Sequence, residues 1–310
     1  EEKAHLFNSM GTDPLPRQEV DQTIKSLLDG TIPRNEQRSA VAQPVVGEAI
    51  EEQAQKIILS PQPFVLQDPA TIPPRQWVYG RHYIRKFLSV TVAPGGTGKT
   101  AITLAEAVAM ATGRDLMGIQ TEKRRVWVWN LEDPIDELQR RIAAICQHFG
   151  VSQGELGDRL LVNSGRDEPL IMATNIAGTN ILTPAADALT QHIIDLKIDC
   201  LIVDPFVSSH QLSENDNTAI DLVVKRWAQV ANDGNCSIEL VHHVRKGNAQ
   251  VEASVSDARG ASALVDAARH VRRLQRMTAK EAREADIGED QFWRYSREGD
   301  SKDNLAPPSV

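Results

Sequence analysis

The chain has 310 residues, enough for one large α/β domain with a small addition and a sizeable core. Its 42 acidic residues outnumber 34 basic ones, for a net charge of -8. That balance argues against nucleic-acid binding spread over the whole surface, so any such contact has to come from locally gathered basic residues. The three cysteines, Cys146, Cys200 and Cys236, lie far apart in apolar contexts, which reads as reduced core thiols of a cytoplasmic protein with no zinc site. No apolar run approaches membrane length, and no secretory signal opens the chain.

Residues 1–60 are polar and read as an accessory segment or linker, with residues 61–310 as the main domain. A short helix is expected from Gln18 to Leu28, with Val20, Ile24, Leu27 and Leu28 on one face and Gly30 as its stop. Glu48 to Leu59 suits a second short helix. The chain opens Glu1-Glu2 rather than with methionine, as an excised piece of a longer protein would. Prolines 61, 63, 69, 73 and 74 mark an extended lead-in.

An apolar run, Phe87 to Val92, then leads into Ala93-Pro94-Gly95-Gly96-Thr97-Gly98-Lys99-Thr100-Ala101, which opens a helix ending near Gly113. Arg125 to Asn130 suits a strand buried on both faces, its two tryptophans belonging to the core. The next helix is marked by Asp133 as N-cap, Pro134 at its first position and Gly150 beyond its end. Val151 to Leu182 reads as a short strand and an excursion. A helix from Thr183-Pro184 follows, then the strand Asp199 to Asp204, a helix from Asp216 to Asn232 and the strand Ser237 to His243. A final strand pair is expected around Ala268–Leu274 and Phe292–Arg297. This alternation predicts an α/β fold, a mostly parallel sheet with helices on both faces.

Strand, glycine-rich loop and helix in that order are the context of a phosphate-binding P-loop. The residues from Pro94 to Ala101 would wrap backbone N–H groups round a phosphate at a helix N-terminus. Lys99 would reach the β- and γ-phosphates, and the Thr100 hydroxyl would hold Mg²⁺. Asp204 ends a strand about a hundred residues later, where an acid at the ligand-binding edge of the sheet can hold the metal or cap a turn. Pro205 follows it, so a group that activates water has to come from elsewhere, and Glu132 is the candidate. Glu132 and Asp133 also read as charge at a helix N-terminus. His242 and His243 end the next strand and lead into a loop, Val244 to Asp257, with Arg245 and Lys246. A locally basic loop suits contact with a phosphate backbone, or is an ordinary solvated loop.

Five stretches in order carry a family resemblance: Ala93–Thr100, Trp129–Pro134, Ile202–Pro205, Leu240–His243 and Ala258–Asp266. From about Pro74 to Pro307 the chain resembles the RecA-like ATPases of the plasmid replicative helicase RepA group, relatives of the DnaB-type ring helicases. The resemblance implies a RecA-like P-loop NTPase fold and makes Glu132 the catalytic glutamate and His243 a γ-phosphate sensor. It also puts Val244–Asp257 on the DNA-binding loop of the ring's central channel. Arg269 resembles the arginine finger given to a neighbouring subunit's nucleotide, and Lys302 resembles a second trans cation. Asn304 stands where the family pattern has an arginine. The Val20–Gly30 segment faintly resembles the helical tail of primase-like modules, which implies a primase–helicase fusion.

The expected function is therefore an ATP- and Mg²⁺-dependent ring-forming DNA helicase or translocase, a hexamer in the family's manner, acting on single-stranded DNA in replication of a plasmid, phage or mobile element. A primase or replication initiator would be its partner, and no membrane is involved. The rival reading is a RecA-like regulatory or assembly ATPase that uses nucleotide to control oligomerisation without unwinding; a small-molecule kinase is disfavoured because no lid is evident.

Overall fold

The computed structural model describes residues 60–244, 261–288 and 290–305. The two N-terminal helices expected from the sequence lie outside these residues. The chain divides into units Glu1–Ile72 and Pro73–Val310. In the first, the described part holds one 3₁₀ turn, Pro69–Thr71, started by the Asp68 side chain accepting from the Ala70 amide at 2.9 Å.

The second unit is built on alternating strands and helices. It opens with the short antiparallel pair β1 (Trp77–Tyr79) and β2 (Tyr83–Ile84). Then come β3 (Leu88–Pro94), α1 (Lys99–Thr112), β4 (Val126–Asn130), α2 (Ile135–Phe149), α3 (Gln153–Leu156) and β5 (Leu160–Ser164). A hairpin follows, β6 (Ala173–Ile176) with β7 (Thr179–Leu182), and then α4 (Ala185–Asp195), β8 (Cys200–Asp204), α5 (Asn217–Asp233) and β9 (Ser237–Val244). The described C-terminal part holds α6 (Ala261–Ala267), β10 (His270–Arg276), α7 (Ala279–Glu284) and β11 (Ser296–Asp303).

Seven strands form one sheet in the order β11-β10-β3-β9-β8-β4-β5. Every pairing is parallel except β10 with β11. This is the mostly parallel, helix-flanked sheet of a RecA-like P-loop NTPase. Successive side chains of a strand point to opposite faces, and a parallel sheet needs both faces covered. Leu201 and Val203 of β8 accordingly join one apolar layer with Ile238, Leu240 and the fully buried Trp227 of α5. Cys200 and Ile202 of the same strand join the other layer, with Val126, Val128 and Leu104 of α1. Helix α1 is alanine-rich and buried around most of its circumference, as expected of a helix sunk in a core rather than lying on one. Cys146, Cys200 and Cys236 are free thiols, the last two buried.

Three elements differ from the sequence expectation. Helix α2 starts one residue later, with Pro134 as N-cap at an extended ψ of 158° and Ile135 as the first helical residue. Asp133 does not cap it, because its carboxylate pairs with Arg141 at 3.1 Å. The ambiguous stretch after α2 resolves into α3, β5 and the β6–β7 hairpin, whose exposed Ile176 and Ile181 give no inside–outside pattern to read. The last strand runs Ser296–Asp303 rather than Phe292–Arg297, because Phe292–Arg294 is a 3₁₀ turn and pairing with β10 begins at Arg276 opposite Ser296.

The face of the sheet toward α1 carries a buried polar network where β3, β9 and β10 would otherwise present apolar groups. Arg272 of β10, 1% exposed, grips Glu106 of α1 with both terminal nitrogens, at 2.5 and 2.7 Å. Its Nε donates to Thr91 Oγ1 at 2.7 Å, and Tyr83 Oη donates to Glu106 Oε2 at 2.5 Å. Thr91 in turn donates to Glu239, whose other oxygen lies 2.9 Å from His82 Nε2. Burial pushes the Glu239 carboxyl up to about 7, against the pull of Arg272 and the Thr91 hydrogen bond.

A buried pair with one member removed leaves an uncompensated charge in the core. Arg272→Ala is therefore expected to lower the unfolding free energy by about 3–5 kcal/mol, read from urea denaturation midpoints at unchanged slope. Arg297→Ala, which breaks an exposed pair with Glu281, is expected to cost about 1 kcal/mol or less in the same assay.

Candidate nucleotide site

Strand β3 stops at Pro94, and the chain turns through Gly95, Gly96, Thr97 and Gly98 into α1 at Lys99. Gly96 and Gly98 have φ of +75° and +93°, a backbone region that side chains disfavour, so the turn itself calls for glycine. A Cβ at Gly95 or Gly98 would meet nothing within 4 Å, so there is open space beside both glycines of the loop. Thr97 Oγ1 donates to Pro94 O at 2.8 Å, closing the loop on itself. Lys99 Nζ donates to Ala93 O at 3.0 Å and Pro94 O at 2.9 Å. Its ammonium is buried, which lowers its pKa, while Asp204 and Glu132 pull it back up. Thr100 and Ala101 continue the first turn of the helix.

Sheet order decides what faces this loop. From β3 across β9 and β8 to β4 there are three steps of ~4.8 Å, so the carboxyl ends of these strands line up within ~15 Å. His243 is in register with Ala93, and Asn130 is in register with Asp204. The row therefore runs P-loop, His243, Asp204, and then the turn that holds Glu132.

The Thr100 hydroxyl donates to Asp204 Oδ2 at 2.6 Å, joining α1 to the end of β8. Asp204 is 3% exposed, and burial raises its carboxyl pKa against the Thr100 hydrogen bond and the charges of His243 and Lys99. A buried carboxylate beside a hydroxyl is a fitting seat for a hard divalent cation. Among the described residues no group of three or more His, Cys, Asp or Glu could hold a metal. Mg²⁺ suits such a sparse set, since it keeps several waters and takes further oxygens from a nucleotide's phosphates.

Glu132 sits on a turn held from three sides. The Asn130 side chain accepts from the amides of Glu132 and Asp133 at 3.0 and 2.7 Å, and Leu131 N donates to Asp204 O at 2.7 Å. Gly165 lets the end of β5 press on this turn, where an added Cβ would lie 2.7 Å from Leu131 Cα. Glu132 is exposed, and among the described residues its carboxylate makes no hydrogen bond or ion pair, although its charge acts on Lys99, Asp204 and His243. Asp133, by contrast, is tied to Arg141. Of the two acids, Glu132 alone keeps an unengaged carboxylate among the described residues.

The two histidines separate. His242 is 3% exposed and packs edge-on near Phe206, its pKa lowered to about 4 by burial. His243 opens to solvent, its pKa lowered by partial burial and by Lys99 while Asp204 and Glu132 raise it.

Arg269 and Lys302 do not join this row. They lie at the other end of the sheet, where His270 is in register with Ser89 at the start of β3 and Lys302 with Val271. Five residues of strand separate Ser89 from Pro94, or ~16 Å. The Arg269 guanidinium lies 5.5 Å from the Phe87 ring centre, and Lys302 Nζ donates to Val265 O and Asp266 O at 3.0 and 2.7 Å, at the C-terminal end of α6. Arg245 and Lys246 lie outside the described residues.

Two contacts on the loop had no signal in the sequence. At the end of β10, Arg276 Nη2 donates to Gly96 O at 2.9 Å, and Ser296, at the start of β11, donates from Oγ to Thr97 O at 2.9 Å. Both depend on a cross-strand register that residue spacing does not encode.

With the loop, the metal seat and the acid in place, the comparison with known families agrees. A family model described as AAA domain matches residues 57–249, well over half of the chain, so the protein belongs to that family and is a P-loop ATPase. No helix among the described residues is long and apolar enough to cross a membrane.

The metal seat predicts a substitution pattern. Thr100→Val is expected to lower Mg²⁺-dependent hydrolysis about 100-fold, some 2.7 kcal/mol of lost stabilisation, with Thr100→Ser within a few-fold of wild type. Steady-state phosphate release over a Mg²⁺ titration reads both.

Proposed function

We propose that this AAA-domain ATPase is a ring-forming, hexameric DNA motor of the plasmid replicative helicase RepA kind, translocating on single-stranded DNA during replication of a plasmid, phage or mobile element. The observation that carries the reading is the course of β9. It passes between the P-loop strand and the Asp204 strand, brings His243 beside Ala93, and is followed directly in the sequence by Arg245 and Lys246. A change at the γ-phosphate position therefore has a direct covalent route to two cations suited to a phosphate backbone.

In this mechanism the loop N–H groups and Lys99 hold the phosphates, as the cradle of Gly95–Gly98 and the helix N-terminus favour. Thr100 and Asp204 would hold Mg²⁺, which supplies charge neutralisation at the phosphate oxygens when bound. Glu132 takes the proton of the attacking water or orients it, and His243 reads whether the terminal phosphate is present. Arg269, remote from its own P-loop, suits donation to a neighbouring subunit's nucleotide, which is why a closed homo-oligomer is part of the reading. Lys302 is the weaker candidate for that role, because its ammonium already holds the end of α6. The 1–60 segment would join this motor to a primase or replication-initiator module.

The test is ATP hydrolysis with and without single-stranded DNA over a salt series, for wild type and the Arg245→Ala/Lys246→Ala double variant. DNA is expected to stimulate the wild type, with an affinity that falls as salt rises. Loss of two backbone contacts is expected to shrink the log–log salt slope by about 1.4, at about 0.7 per contact on a single strand. Hydrolysis indifferent to DNA in both proteins would refute the motor and favour an ATPase that regulates assembly without unwinding.

A further inference from the structure

We propose that Arg276 and Ser296 are positioning residues for nucleotide binding, a cross-strand pair that holds the P-loop peptides with their N–H groups turned inward. The inference rests on the P-loop reading given above and adds to it two residues from the far end of the chain.

A trans peptide unit is planar, with its C=O and N–H directed to opposite sides. Whatever holds a carbonyl therefore also aims the amide of the next residue. Arg276 donates to the carbonyl of Gly96 at 2.9 Å, which fixes the peptide carrying the Thr97 N–H. Ser296 donates to the carbonyl of Thr97 at 2.9 Å, which fixes the peptide carrying the Gly98 N–H. Two consecutive peptides of the loop are thus held from outside by two donors. Among the described residues, the N–H groups of Thr97 and Gly98 donate to nothing, which leaves them available to an anion.

The two donors belong to one unit. Arg276 and Ser296 face each other in the register of β10 with β11, so the pair moves with the hairpin rather than as two loose side chains. The contact is also tight, because a Cβ on Gly96 would lie 3.2 Å from Arg276 Nη2. Gly96 thus serves two needs at once, a positive φ and room for the guanidinium. The hairpin is anchored below by Arg272 on Glu106 of α1, one strand face away from the loop. At its opposite end it carries Arg269 and Lys302. A shift of the hairpin at that end would therefore be transmitted to the orientation of the Gly96 and Thr97 peptides.

Ser296 supplies the discriminating test, because it has no charge and its effect on a nucleotide has to pass through the loop. Equilibrium binding of a fluorescent ADP analogue with Mg²⁺ is measured for wild type, Ser296→Ala, Ser296→Thr and Arg276→Ala, together with thermal unfolding of each without nucleotide. Ser296→Ala is expected to weaken binding several-fold and Arg276→Ala about tenfold, the range for loss of a neutral and a charged hydrogen bond. Ser296→Thr keeps the hydroxyl and is expected to bind as wild type does. Unfolding temperatures are expected to stay within about 2 °C, since both residues are at the surface. In steady state the loss should appear in KM more than in kcat, as removal of binding shared by ground and transition states does. Wild-type affinity in Ser296→Ala, with the fold intact, would overturn the proposal. A wild type that itself fails to bind the analogue would instead overturn the P-loop reading, so the two failures are told apart in one titration.

Discussion

The ion pair between Arg272 and Glu106 is the constraint on which the geometry of the site depends. It joins the middle of β10 to the middle of α1 inside the core, with Tyr83 and Thr91 taking up the remaining hydrogen bonds. Such a pair gains little over well-packed apolar side chains, but removing either partner leaves the other as an uncompensated charge in the core. Helix α1 carries Lys99 and Thr100 at its start, and β10 ends at Arg276. Locking one to the other fixes the P-loop helix against the strand that braces the loop. Glu239, whose buried carboxyl is held up near 7, and the His82 beside it extend the same network to β9, the strand that carries His243.

From that frame the chemistry follows by position along one edge of the sheet. The P-loop ends β3, His243 ends β9, Asp204 ends β8, and Glu132 stands just past the end of β4. Each group comes from a different strand, yet neighbouring strands are so close that all four line one edge of the sheet within ~15 Å. The opposite edge holds Arg269 and Lys302, which act on nothing in their own site.

The parts legible in the sequence are those whose reasons are local. The glycines of Gly95–Gly98 answer to backbone angles, Lys99 and Thr100 to phosphate and metal chemistry, and the burial of Ile220, Val223, Trp227 and Val230 to a helical period. What stayed hidden depends on partners distant in sequence. Glu132 is the acid the sequence itself offers, and the structure adds that Arg141 takes up its neighbour Asp133. The brace of Arg276 and Ser296 exists only through the register of β10 with β11, and the misplaced last strand shows that this register was not readable. The β6–β7 hairpin is half exposed with isoleucines on its open side, so apolar alternation had no face to report.

The most direct test of a hydrolytic site built on this edge is single-turnover ATP cleavage by Glu132→Gln, measured beside equilibrium nucleotide binding. The amide keeps the shape of the turn held by Asn130 but removes the base. Binding is expected within a few-fold of wild type while the cleavage rate falls on the order of 100-fold or more, the usual range for loss of a general base. Cleavage near the wild-type rate, with binding unchanged, would contradict the assignment of Glu132 as the group that activates water.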